Sequence, residues 1–269
     1  METKEFFFND KKISYKIYGQ GPTVVLLHGF GEDASVWDNQ LEALKNYQVI
    51  IPDLPGTGRS EMIDDMTMEG MAEVVKEVRA ASVPHEGRVF LLGHSMGGYI
   101  TLAFAEKYSH LLSGIGLIHS SPFADDDEKK ETRRKGISFI TQHGGYEFLK
   151  TAIPNLYSDT TQKQKPHLID QHLTAARNFS SATLVRYYEA MMQRPDRSNV
   201  LQQTKLPVLM IAGKFDKAVT MEASLKAFIL PQLSYIHVLE SSGHMGMIEE
   251  VDESNRIIKQ YLQSIENLT

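Results

Sequence analysis

Six largely apolar runs, each no longer than a strand, set the strongest limit on how this chain can fold. They are Val24–Leu27, Val49–Ile51, Val89–Leu92, Ile115–Ile118, Val208–Ile211 and Tyr235–Leu239. A strand with one wet face alternates polar and apolar residues. Continuous runs belong to strands buried on both faces, as in parallel sheets. Helix-like periods lie between most of them, over Trp37–Lys45, Met66–Ser82, Met96–Tyr108, Glu222–Phe228 and Glu249–Ile265. Strands alternating with helices imply an α/β fold with a doubly wound, mostly parallel sheet. Lys12–Tyr18 alternates with period two and stops at Gly19-Gln20-Gly21-Pro22, the pattern of an early antiparallel strand or hairpin.

The alternation lapses between Ser120 and Thr204, a charged stretch with helical patterning and no buried strand. The chain therefore divides into a first core segment (1–119), an inserted helical lid (120–204) and a second core segment (205–269). Asp125-Asp126-Asp127-Glu128 precedes Lys129, Lys130, Arg133, Arg134 and Lys135. Acids first and bases last suit a helix dipole. That segment reads both as a solvated amphipathic helix and as a mobile cover over a pocket. No internal repeat or low-complexity tract interrupts the pattern.

Net charge is −6 with a pI near 5.9, which gives no reason to expect nucleic acid or an anionic membrane as partner. With no cysteine, disulfides, thiolate chemistry and Cys-based metal sites are excluded. The apolar patch Phe6-Phe7-Phe8 is too short for a signal-peptide core, and every apolar run is too short to span a bilayer. A cytoplasmic location is expected.

Chemistry concentrates at the ends of the apolar runs. Gly93-His94-Ser95-Met96-Gly97 joins one of them to a helix, the context in which G-x-S-x-G forms a nucleophile elbow. Ser95 is the candidate nucleophile, and its flanking glycines suit a strained strand-to-helix turn. His28-Gly29-Phe30-Gly31 follows the first buried run, so the amides of Phe30 and Met96 are the candidate oxyanion-hole donors. His28 reads as structural. His244, in Ser242-Gly243-His244-Met245-Gly246, follows the last run as candidate base, and Asp216, ending Gly213-Lys214-Phe215-Asp216, follows the run before it as candidate acid. A neutral imidazole can take the serine proton near pH 7, and a carboxylate behind it fixes the tautomer.

Other features carry less. Asp53-Leu54-Pro55-Gly56-Thr57-Gly58-Arg59-Ser60 has no phosphate-binding lysine and opens no helix, so it is a loop and not a nucleotide site. His167 and His172 are five apart and share no helix face, and no carboxylates converge on them, so no metal is expected. No cofactor is expected either. His119, at a strand end, could line the pocket or merely fill it, and lining is preferred; Trp37 is expected to pack a helix rather than stack on substrate.

Together these motifs closely resemble the α/β-hydrolase superfamily over nearly the whole chain. The resemblance implies a sheet of about eight strands, a lid after the sixth strand, and a small-molecule substrate. Within the superfamily the chain looks most like small carboxylesterases, enol-lactone hydrolases and pimeloyl-carrier-protein methyl esterases. The expected activity is therefore a serine esterase working through an acyl-enzyme. Ser95 departs from the Asp nucleophile of haloalkane dehalogenases and epoxide hydrolases. Sensor members keep the same three residues, so a ligand-binding signalling protein is the alternative, although the double glycine Gly97-Gly98 is unusual for them. Carbon–carbon bond hydrolases keep the three residues as well. Some members carry the acid after the sixth strand, where Asp125 is the nearest candidate. It stands at a charged helix start that capping would explain, and Asp216 is preferred.

Overall fold

The computed structural model describes residues 1–85 and 87–266. Among these residues eight strands form one sheet: β1 (Glu2–Phe8), β2 (Lys11–Tyr18), β3 (Thr23–Leu27), β4 (Gln48–Pro52), β5 (Val89–His94), β6 (Leu112–Ile118), β7 (Val208–Gly213) and β8 (Ser234–Leu239). Their order is β1-β2-β4-β3-β5-β6-β7-β8. β2 runs antiparallel to both of its neighbours, β1 and β4, and the five remaining pairs are parallel. Every residue of β3, β5 and β7 is buried, as the continuous apolar runs require. β8, at the edge of the sheet, leaves Ile236 and Val238 exposed, so Tyr235–Leu239 is not buried on both faces as expected.

Among the described residues, eleven α-helices accompany the sheet. In the core they are α1 (Met68–Ser82) and α2 (Met96–Tyr108), and in the segment after β6 they are α3 (Asp127–His143), α4 (Gly145–Ala152), α5 (Asp159–Gln164), α6 (Pro166–Ala175), α7 (Ser181–Gln193) and α8 (Ser198–Gln203). The chain returns to the core with α9 (Met221–Phe228), α10 (Gly246–Glu249) and α11 (Val251–Glu266). Side chains of β3 alternate between two cores. Val25 and Leu27 pack with Val74, Ile100 and Phe104, whereas Val24 and Leu26 pack with Trp37, Ile258 and Leu262. None of the described helices is long and apolar enough to cross a membrane.

Strand order reverses at β3, which has β4 on one side and β5 on the other. Loops leaving the carboxyl ends of such neighbours diverge and open a crevice there. Parallel register then aligns the ends: Leu27 pairs with Gly93, His94 with Ile118, Ile118 with Ile211, and Gly213 with Leu239. His28, Ser95, His119, Asp216 and His244 all follow these residues at one edge. The helices after β6 cover that edge: Tyr187 donates to the Pro55 carbonyl (2.9 Å), and Leu156 accepts from the His244 amide (2.6 Å).

Local structure differs from the periodicity in three places. Trp37–Lys45 forms two 3₁₀ turns, Ala34–Gln40 and Glu42–Leu44, rather than an α-helix. Asp33 accepts from both the amide and the hydroxyl of Ser35, and Gln40 is pinned to the Met247 carbonyl, so both ends hold a tighter turn. The C-terminal helix is broken at Glu250 (φ −126°, ψ 63°), whose carboxylate turns back to Ser241 and Ser242. β1 adds an edge strand that the apolar patch did not reveal.

Candidate active site

The turn after β5 is sterically demanding. Ser95 has φ 51° and ψ −115°, a conformation that costs a non-glycine residue about 1–3 kcal/mol and persists only where its surroundings impose it. Here they do. Its amide donates to the Ile118 carbonyl (2.9 Å), and its carbonyl accepts from Gly98 N (2.9 Å) and Ser120 Oγ (2.7 Å). The backbone packs so closely that a Cβ on Gly93 would lie 2.2 Å from the Gly97 carbonyl, and one on Gly97 would lie 2.6 Å from that of Leu27. Ser95 is thereby held half-exposed on the wall of a cavity of about 560 Å³, which Phe30, Tyr99, Leu149, Tyr188 and His244 also line.

His244 sits on the same wall, with its Nδ1 2.7 Å from Asp216 Oδ2. The other oxygen of Asp216 accepts from the amides of Ala218 (2.8 Å) and Val219 (2.9 Å). Burial alone would raise the pKa of this carboxyl. The His244 and His119 imidazoles hold it far below the usual carboxylate range instead.

His119 does not line the cavity, contrary to expectation. It is fully buried behind Asp216, with its Nδ1 3.3 Å from Oδ2, and burial pushes its pKa down so that it stays neutral. Its φ of 49° is imposed by the bond from its amide to the Ile211 carbonyl (2.8 Å), which continues the β6–β7 ladder past the strand end.

A second buried pair lies under the site, and sequence reasoning missed it. His94 donates from Nδ1 to Glu32 Oε2 (2.9 Å) and from Nε2 to the His244 carbonyl (3.0 Å). Both partners only accept, so the ring carries both protons. Burial would lower the basicity of His94, but Glu32 and the carbonyl raise it. Burial would likewise raise the Glu32 pKa, but His94 brings it down to about 2. Glu32 also accepts from the Gly29 amide (2.6 Å), so one ion pair ties the loop after β3 to the backbone of His244. An acid four residues past His28, together with a His beside Ser95, was the available signal.

Phe30 stacks on Tyr188 (centroids 4.4 Å apart, planes 8° apart), which orients its loop. As the first residue of α2, Met96 has an amide with no acceptor within the helix. His28 is structural: its Nε2 accepts from the Leu54 amide (3.0 Å), and its Nδ1 then donates to the Gly29 carbonyl (2.9 Å). Asp53 ties the following loop to the amides of Ala34 and Arg59. Trp37 is buried edge-on to His94.

Asp125 is remote from His244 in its bonding, though not for the reason first given. Asp126, not Asp125, caps α3 by accepting from the Lys129 amide, whereas Asp125 is buried between Arg133 and Arg194. His172 Nδ1 shares a hydrogen bond with the Tyr157 hydroxyl (3.0 Å), while His167 is exposed. The one triad of potential metal donors among the described residues is His119, Asp216 and His244, within 4.8 Å of one another. Both imidazoles already point N–H groups at Asp216 Oδ2, so a cation would have to displace two protons.

A model of the alpha/beta hydrolase family matches residues 24–256. The chain belongs to the alpha/beta hydrolase family. This hydrolase is 27% identical to the 2-hydroxy-6-oxo-6-phenylhexa-2,4-dienoate hydrolase of Comamonas testosteroni, over 95% of its own length and 92% of the relative's. It is 26% identical to a 2-hydroxy-6-oxononadienedioate/2-hydroxy-6-oxononatrienedioate hydrolase of Pseudomonas putida (94% and 92%). A thermophilic esterase from Thermogutta terrifontis superposes with a TM-score of 0.91 at 27% identity, over 98% and 99% of the two chains. The enol-lactonase of Burkholderia xenovorans LB400 shares the fold (TM-score 0.88, 20% identity, 97% and 100%).

Proposed function

We propose that the protein hydrolyses a carboxylic ester, or a closely related acyl bond, of a small molecule through an acyl-enzyme on Ser95. The observation that carries this reading is the 2.7 Å bond from His244 Nδ1 to a buried, ionised Asp216, on an imidazole that shares a cavity wall with Ser95. With Nδ1 donating to Asp216, the lone pair of His244 is on Nε2, the atom that takes the proton of the Ser95 hydroxyl. Oγ then attacks the acyl carbon. The amides of Phe30 and Met96 stabilise the oxyanion, and His244 returns the proton to the leaving alcohol. Water repeats the sequence to release the acid and regenerate Ser95. The similarity to a thermophilic esterase supports the ester as the bond cleaved.

The test is a panel of 4-nitrophenyl esters of increasing acyl length, with 2-hydroxy-6-oxo-6-phenylhexa-2,4-dienoate as a carbon–carbon substrate. The expected result is multiple turnover of at least one ester, reduced on the order of 10⁶-fold in Ser95→Ala. Turnover of the dienoate alone would reassign the bond. Thermal stabilisation by ligands with no turnover across the panel would favour the sensor alternative.

A further inference from the structure

Beside the cavity, two guanidinium groups share one carboxylate. Asp125, whose side chain is 0% exposed, takes Arg133 Nε on Oδ2 (2.5 Å) and Arg194 Nη1 on Oδ1 (3.0 Å). Both arginines are largely buried, at 12% and 4% exposed. Taken alone, the cluster is a strut that joins α3 and the end of α7 to the loop after β6, and Arg194 fits that role through its bonds to the carbonyls of Met191 and Phe123. A strut does not require an excess of positive charge. One carboxylate against two guanidiniums leaves a net charge of one in a poorly solvated place, which is costly without a counter-ion.

The excess faces the cavity. Arg133 and Lys129 line it, and so does Tyr99, one helical turn beyond Ser95. Arg194 stacks 3.8 Å from the centre of the Tyr99 ring, and the Tyr99 hydroxyl has no hydrogen-bond partner among the described residues. Burial would raise the pKa of this phenol, yet Arg194, Lys129 and Arg133 bring it below the ordinary tyrosine value. The acids on the cavity wall do not cancel this field. Glu32 is neutralised by His94, and Asp126 and Glu128 are exposed to solvent, which screens them. Lys217, also on the wall, is paired with the exposed Asp159.

We infer that the wall formed by Arg133, Tyr99 and Lys129 is an anion subsite, so that the substrate carries a carboxylate in addition to the bond cleaved at Ser95. This rests on the ester-hydrolase reading above. Arg133 also gives Nη2 to Asp125 Oδ1 (3.3 Å), so its Nη1 and the free hydroxyl of Tyr99 are the donors left for a carboxylate, whose charge completes the cluster.

The experiment compares 4-nitrophenyl hemiglutarate with its neutral carboxamide counterpart. In the native protein kcat/KM is expected to favour the charged ester about 10- to 100-fold, mainly through KM. That ratio falls towards 1 in Arg133→Gln and several-fold in Lys129→Gln and Tyr99→Phe. Because the ratio is taken within each protein, losses common to both esters cancel. If Arg133→Gln does not fold, the other two variants decide. A native ratio of 1 or below, or one that none of the variants lowers, overturns the subsite while turnover of the neutral ester leaves the hydrolase reading standing. Should neither ester be cleaved, the Ser95→Ala protein gives the answer by thermal shift. Glutarate should stabilise it more than glutaramide does, and equal shifts overturn the inference.

Discussion

Asp216→Asn is expected to lower the acyl-transfer rate about 10⁴-fold while leaving the fold in place, the effect known for the equivalent change in another Ser-His-Asp enzyme. The local hydrogen bonds say why. One oxygen of Asp216 accepts from the amides of Ala218 and Val219, and backbone N–H groups cannot reverse their role. The asparagine oxygen must therefore occupy that side, which turns its NH₂ towards His244. His244 Nδ1 then has to accept, its proton moves to Nε2, and the imidazole can no longer take a proton from Ser95. His119 adapts at little cost. Its Nε2 is buried without a partner among the described residues and can carry the proton that Nδ1 gives up. Steady-state kinetics alongside thermal melts checks this. A loss below about 10-fold with an unchanged melt would remove Asp216 from the proposed role.

The second large effect is on stability. In Glu32→Gln the new amide oxygen can still accept from Gly29 and His94, since one oxygen of Glu32 takes both bonds now, so the change isolates the charge. Glu32 falls from an ordinary 4.5 to about 2 on folding, so its contribution is present above about pH 4.5 and is lost as the pH falls towards 2. His94 is raised above an ordinary 6.5, so its contribution is present below about pH 6.5 and fades as the pH climbs through its folded value. The pair is therefore worth most between about pH 4.5 and 6.5. The expected loss there is on the order of 3 kcal/mol, within the range for breaking a buried ion pair. Urea unfolding of both proteins at pH 5.5 and pH 9 measures it. The difference should shrink at the higher pH. A cost under about 1 kcal/mol at pH 5.5 would mean that Glu32 and His94 are not a charged pair.

Much of the fold was legible because its signals are local. Val24–Leu27 or Val208–Ile211 has one reading as a buried strand, and Gly93–Gly97 between a strand and a helix has few alternatives. The candidate nucleophile, base and acid stood out because each follows such a run. What escaped depends on contacts between distant residues. Glu32 meets His94 across 62 positions and His119 meets Asp216 across 97, and both encounters follow from the register at the carboxyl edge of the sheet, which no single-segment pattern encodes. Asp125 looked like a helix cap because capping is judged from neighbours in sequence. Of its two real partners, Arg133 and Arg194, the second comes from the end of α7, about 70 positions along the chain. The 3₁₀ turns at Ala34–Gln40 escaped because side-chain bonds at both ends, not periodicity, set their pitch.

Rapid quenching of the ester reaction followed by peptide mass spectrometry tests the proposed acyl-enzyme most directly. The expected result is an acyl adduct on the peptide containing Ser95, formed in a burst of one equivalent of 4-nitrophenol and absent from Ser95→Ala. Ester turnover with no burst and no adduct, or turnover that Ser95→Ala retains within about 10-fold, would contradict it.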